Sequence, residues 1–151
     1  MLKHSCLTFL KAAFFKVAFF VAITLTISSC DTQHPPYAFI TNQLSDNLSI
    51  IDTQSQQVIK TIDIGHRPAG IAISQQGQKA FISNPEGQNI SILDTSTLKV
   101  TAQIPVGAGP VGIATNNDGS RVYVADWYQH KISVVDSQTH KITASIPVGN
   151  S

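Results

Sequence analysis

The chain has 151 residues, 42% hydrophobic and only 13% charged, with a formal net charge of +1. That sparse, balanced charge excludes the basic stripe by which proteins bind nucleic acid. Both cysteines, Cys6 and Cys30, fall in the first 30 residues, so everything beyond lacks a thiol for a disulfide, a thiolate metal site or a redox couple.

Residues 1–30 carry Lys3, Lys11 and Lys16 with no acid, then the apolar run Val17 to Ile27, then Ser28-Ser29-Cys30. A basic stretch, a short apolar core and small residues describe a secretory signal peptide over 1–29. Only 13 residues separate Lys16 from Cys30, whereas a membrane-spanning helix needs about 20. The tail Ile27-Ser28-Ser29-Cys30 resembles the bacterial lipobox. That resemblance implies a lipoprotein: cleavage before Cys30, lipidation of its thiol and acylation (palmitate or a similar chain) of the new amino terminus. Acyl chains at roughly 0.8 kcal/mol per buried methylene hold a domain on a bilayer without a spanning helix. Asp31 resembles the signal that keeps lipoproteins on the periplasmic face of the inner membrane. The expected location is therefore extracytoplasmic and membrane-anchored. Loss of three lysines leaves seven basic and nine acidic residues, a net charge near −2. Residues 30–36 form the lipidated cysteine and a short polar tether.

From Tyr37 onward the sequence repeats at a period of 42 residues without insertion or deletion, in units 38–79, 80–121 and an incomplete 122–151. The first two units are identical at 17 of 42 positions, and 80–109 matches 122–151 at 11 of 30. A fixed period near 40 residues marks a solenoid or a propeller. Within each unit the apolar segments are short and β-branched: Ala80 to Asn84, Ile90 to Asp94, Val100 to Pro105 and Gly112 to Thr115. Turn clusters such as Pro85-Glu86-Gly87 and Asn117-Asp118-Gly119 separate them. No helical apolar stripe occurs outside the amino-terminal segment. Four antiparallel strands in a unit of this length make a β-propeller blade.

Phe39-Ile40-Thr41-Asn42 returns as Phe81 to Asn84 and as Tyr123 to Asp126, and Pro68-Ala69-Gly70-Ile71-Ala72 returns as Pro110 to Ala114. These motifs resemble the YVTN-type β-propeller repeat family over residues 37–149. The resemblance implies an all-β fold whose innermost strand is the Gly-Ile-Ala segment. Complete blades then run from about 68 to 106 and from 110 to 148, while 37–64 supplies only three outer strands of a first blade. The expected architecture is a partial propeller of about three blades, the first lacking its inner strand. Propellers close with four to eight blades. Three arrangements fit this count: a piece of a longer propeller, a ring completed by self-association or a partner chain, or an open arc.

Asp52, Asp94 and Asp136 end the third strand of each unit and read as Asx-turn acids, and Gly65, Gly107 and Gly149 as backbone punctuation between blades. Residues that break the repeat are freer to serve a ligand. His66-Arg67 stand where the next copy has Ala108-Gly109, and Trp127-Tyr128-Gln129-His130 replace Pro85-Glu86-Gly87-Gln88. Strand direction puts both groups at one end of the blades, on loops, together with Asp46 and Glu86. His66, Arg67, Trp127, Tyr128 and His130 therefore form the candidate binding face. No metal-ligand spacing joins His66 to His130, and no nucleophile triad, phosphate loop or haem-attachment motif is present. The expectation is a binding or scaffold module at the bacterial envelope, without cofactor, metal or catalysis. Propellers of similar repeat also include lactonases, lyases and dehydrogenase subunits, so a fragment of such an enzyme, or a non-functional remnant, is the rival reading.

Overall fold

The computed structural model describes residues 36–149 apart from residue 77; the expected signal peptide over 1–29, Cys30 and Asp31 lie outside the described residues. Three antiparallel sheets follow one another along the chain. The first contains β1 (Tyr37–Asn42), β2 (Asn47–Asp52) and β3 (Gln57–Asp63). The second contains β4 (Ile71–Ile73), β5 (Lys79–Asn84), β6 (Asn89–Asp94) and β7 (Lys99–Pro105). The third contains β8 (Pro110–Thr115), β9 (Arg121–Asp126), β10 (Lys131–Asp136) and β11 (Lys141–Pro147). Each sheet is a meander whose neighbours in space are neighbours in sequence. The partial propeller expected from the repeat is present, and blade 1 carries no inner strand among the described residues. Among the described residues the sole helical element is one 3-10 turn, Gln43–Ser45, and no helix is long and apolar enough to cross a membrane.

Local chemistry explains the hairpins. In every blade the aspartate ending the third strand turns its Oδ1 back into the loop. Asp52 accepts the N–H groups of Gln54 and Ser55, Asp94 those of Ser96 and Thr97, and Asp136 those of Gln138 and Thr139, all at 2.8–3.0 Å. Each loop then closes through a left-handed residue, Gln56, Leu98 or His140, with φ of 57°, 54° and 58°. These are Asx turns, as the recurrence of the acid predicts. Backbone donation from Thr97 and Thr139 holds the carboxyls of Asp94 and Asp136 below the ordinary 3.8, and the Ser120 N–H does the same for Asp118. A carboxyl depressed in the folded state stabilises the fold above its unfolded pKa, and that contribution disappears as pH falls through the folded value. The melting temperature is therefore expected to hold from neutrality to about pH 4 and to drop below it. An Asp94→Asn, Asp136→Asn double variant, followed by thermal melts across that range, should show a shallower drop.

A second regularity was hidden in the sequence. The register slips by one residue at the same place in all three outer hairpins, between Ile50 and Ile51, Ile92 and Leu93, and Val134 and Val135. The extra residue of the bulge is Ile59, Thr101 or Thr143. The threonine hydroxyls donate across the hairpin to Ile92 O and Val134 O at 3.2 Å. Ile59 has no hydroxyl to donate and is 46% exposed. Ile59→Thr restores the bond used by the other two blades and removes an exposed apolar side chain. It is expected to stabilise the protein by about 0.5–1 kcal/mol in urea titrations.

The core lies between blades. Leu48 and Ile64 from the first pack against Ala80, Ile82 and Leu93 of the second. One repeat later, Phe81, Ile90, Ile92, Ile104 and Val106 pack against Val122, Val124 and Val135. Strand alternation sends successive side chains of β5 to opposite faces, and both faces are covered. On β9 the pattern is different: Val122, Val124 and Asp126 are buried against blade 2, while Arg121, Tyr123 and Ala125 are exposed. The outward faces of blades 1 and 3 thus carry the same apolar positions without a neighbour among the described residues.

Candidate functional site

Linkers between blades and the loops joining each blade's second and third strands meet at one end of the sheets. At the junction of blades 1 and 2 this end is charged. The Arg67 N–H donates to Asp46 Oδ1 at 2.8 Å, and His66 Nδ1 lies 2.8 Å from Asp46 Oδ2. On the other side Arg67 Nε donates to Glu86 Oε1 at 3.0 Å and His66 Nε2 stands 3.3 Å from Glu86 Oε2. Asp46 belongs to blade 1 and Glu86 to blade 2, so the His66-Arg67 dipeptide clasps the two together. Asp46 and Arg67 are both left-handed, at φ 57° and 54°. The Arg67 N–H, and then the His66 ring, holds the Asp46 carboxyl below its ordinary value. All four side chains are about half exposed. Solvent screens ion pairs this exposed, so the clasp positions loops more than it stabilises them.

The next junction has no charge in its linker. Ala108-Gly109 stand in place of His66-Arg67, and the Tyr128 ring lies over Gly109 where a Cβ would overlap it. The Trp127 N–H donates to Gly109 O at 2.9 Å. Asp126 shapes the loop: its Oδ1 accepts the N–H groups of Tyr128 and Gln129, both at 3.0 Å. Asp126 is 5% exposed, and its Oδ2 has no hydrogen-bond partner. Trp127 and Tyr128 are 64% and 72% exposed. Trp127, His130 and Lys131 border a cleft of about 370 Å³ whose floor is Val111, Ala125 and Val148.

The five residues expected from the broken repeat thus occupy one end of the sheets in two clusters. His66 and Arg67 engage Asp46 and Glu86; Trp127 and His130 border the blade 3 cleft, and Tyr128 lies over Gly109 at the junction with blade 2. Sequence reasoning passed over Asp126 and Lys131. The signal was present, because Asp126 stands where the earlier copies have Asn42 and Asn84, and Lys131 stands where Asn89 does. In blade 2 Asn84 Nδ2 donates to Asn89 Oδ1 and Ser91 Oγ at 2.7 and 2.9 Å. A carboxylate cannot donate, so Asp126 turns to the loop amides instead. The interblade glycines also divide. Gly65 and Gly107 adopt φ of 142° and 148° beneath the side chains of Asn84 and Asp126. Gly149 has neither that conformation nor a neighbour within 4 Å. No succeeding blade presses on it among the described residues. No group of three or more His, Cys, Asp or Glu is arranged to hold a metal among the described residues.

Residues 71–151, just over half of the chain, match the model of the YNCE-like β-propeller family. The chain belongs to that family. Among solved structures, this YNCE-like propeller superposes on the hydrazine synthase of Kuenenia stuttgartiensis with a TM-score of 0.71 and 26% identity, over 76% of this chain and 33% of that one. It also superposes on the dihydro-heme d1 dehydrogenase NirN in complex with DHE, with a TM-score of 0.67. There the identity is 17%, over 78% of this chain and 25% of that one, a likeness of fold alone. The YNCE-like chain thus spans a third and a quarter of the length of these two proteins. No curated protein matches it in sequence.

Proposed function

We propose that this YNCE-like propeller chain is a lipid-anchored binding or scaffold module of the bacterial envelope, with its loop end as the contact surface. The observation that carries the reading is the pair Trp127 and Tyr128, exposed at 64% and 72% at the loop end of blade 3. Large aromatics placed in solvent on a loop where blade 2 carries Pro85-Glu86-Gly87-Gln88 favour contact with a partner. His130 and Lys131 on the rim and the His66-Arg67 clasp at the next junction supply polar complementarity. The basic, apolar and small-residue order of residues 1–29 and the lipobox-like Ile27 to Cys30 support the anchor, and Asp31 supports the inner-membrane, periplasmic side. The tetrapeptides Phe39 to Asn42, Phe81 to Asn84 and Tyr123 to Asp126 support a YVTN-type repeat.

A second reading is favoured by the two solved neighbours, both enzymes of which this chain would span a third or a quarter. On that reading the chain is one piece of a larger propeller enzyme, and its open blade faces are covered by further blades. One experiment separates the two. A photocrosslinking amino acid is placed in the full-length chain in cells at Tyr128, at Tyr123 on the open face of blade 3, or at Gln54 on the opposite loop end. Adducts formed from Tyr128 and absent from Gln54 are expected for a loop-end binding module. Adducts formed from Tyr123 alone would discard it in favour of the larger propeller. Metabolic labelling with palmitate should mark the wild type and not Cys30→Ala; label on neither would overturn the anchor, and label on both its placement at Cys30.

A further inference from the structure

The chain enters blade 1 at the end of the sheets opposite the loop-end cluster. Pro36 O accepts both the N–H and the hydroxyl of Thr53, at 3.1 and 2.7 Å, which pins the entry point beside the Asx hairpin of blade 1. One and two repeats on, Gln78 O and Ser120 O accept the N–H groups of Thr95 and Ser137 at 2.9 and 3.0 Å. The three Asx hairpins therefore share the end from which the chain leads back to Cys30. Six peptide steps separate Cys30 from Pro36, a reach of about 20 Å when fully extended. A six-residue strand is itself about 20 Å long. A bilayer holding Cys30 is thus close to the hairpin end, and a tether stretched alongside the blade would only just draw level with the loop end.

Charge divides unevenly between the two ends. Of the seven basic residues after Cys30, five lie at the hairpin end. Lys79, Lys99, Arg121 and Lys141 each open a strand there, and Lys60 reaches it through Nζ, which donates to Leu98 O at 3.1 Å. Register sets Asp94 between Lys79 and Lys99, and Asp136 between Arg121 and Lys141. The four acids of this end, Asp52, Asp94, Asp118 and Asp136, each turn Oδ1 onto loop amides. Lys99, Arg121 and Lys141 are exposed, and no basic side chain here pairs with a carboxylate among the described residues. The loop end is the reverse: Arg67 and Lys131 stand against Asp46, Asp63, Glu86 and Asp126, and Arg67 is already taken by Glu86. None of the three Asx hairpins exposes a large apolar side chain, so this end suits contact with headgroups and not insertion among acyl chains.

We propose that the hairpin end is a bilayer-facing surface: it lies on the anionic headgroups of the membrane that holds Cys30 and stands the loop-end cluster out into the aqueous space. The proposal rests on the lipid-anchor reading and adds an orientation to it. The short tether limits which surfaces can meet the bilayer. The exposed bases then select among those surfaces, because attraction to an anionic leaflet fades within a Debye length of about 8 Å. Trp127 and Tyr128 point away from the lipid on this account, since they occupy the opposite end.

The test uses the full-length chain, purified from membranes in detergent and reconstituted into vesicles of phosphatidylcholine and phosphatidylglycerol that carry a headgroup nitroxide quencher. A fluorescent amino acid replaces Gln138 on the blade 3 hairpin or Gln129 at the loop end, both exposed. The probe at 138 is expected to be quenched at least about twofold more than the probe at 129. Vesicles of phosphatidylcholine alone, or Lys99→Gln combined with Lys141→Gln, should roughly halve the quenching at 138. Equal quenching at the two positions, stronger quenching at 129, or indifference of the probe at 138 to either change would overturn the orientation and leave the anchor standing. A chain that does not float with the vesicles overturns the anchor, and the orientation with it.

Discussion

Phe81→Ala is expected to destabilise the protein by about 3–5 kcal/mol, enough to unfold it at ambient temperature if its total stability lies at the low end of the ordinary range. Phe81 has no exposed surface and stands at the centre of the cluster between blades 2 and 3, with Ile90, Ile92, Val122 and Val124. Alanine there loses the transfer energy of the ring and leaves a cavity that two rigid sheets cannot close. The repeat supplies its own control. Tyr123 occupies the same position one unit later and is 37% exposed, because blade 3 has no following blade among the described residues. Tyr123→Ala should therefore cost well under half as much. Urea titrations of both variants check the difference, and equal losses would contradict the assignment of the core to the interblade junction.

Gly107→Ala should be nearly as damaging, through the backbone. Gly107 adopts φ 148°, which L side chains rarely take, and a Cβ there would collide with Asp126 Oδ2. Asp126 cannot move aside cheaply, since its other oxygen holds the amides of Tyr128 and Gln129. Relief would break those bonds and release the Trp127 to His130 loop. A loss of about 2–4 kcal/mol is expected from strain and lost hydrogen bonds together. Gly149→Ala, at the equivalent position with nothing within 4 Å, should be close to neutral. Thermal melts of the two variants read this contrast directly. The cleft beside Trp127 should also change shape in Gly107→Ala, so tryptophan fluorescence gives a second readout.

Much of the scaffold was legible because its determinants are local. Strand positions follow from alternation and from turn residues within a few positions of each strand. Asp52, Asp94 and Asp136 announce their turns because the carboxylate bonds amides two and three residues on. Small departures also have local causes: β5 and β6 each begin one residue earlier than their apolar runs, at Lys79 and Asn89, because main-chain pairing continues past the last buried side chain. The outer-hairpin bulges were not legible, since a bulge is a relation between two strands. Only afterwards does the recurrence of threonine at 101 and 143 explain itself.

Periodicity and turn residues alone establish the all-β class, the 42-residue period, the three blades and the end of the sheets at which the repeat is broken. Tertiary structure alone decided what those residues do there. Phe81 and Tyr123 are near-identical in pattern, yet one is core and the other is half open, because burial depends on a neighbouring blade and not on the residue's own strand. The Asp46–His66–Arg67–Glu86 clasp draws on two blades and a linker, and its members are spread over 40 residues of chain. Asp126 likewise reads as a conservative exchange for Asn84 until the fold seals it against Gly107, where one oxygen finds amides and the other finds none. Periodicity and turn chemistry act over a few residues and are written in order; packing and polar satisfaction act across sheets, and only closure of the chain on itself settles them.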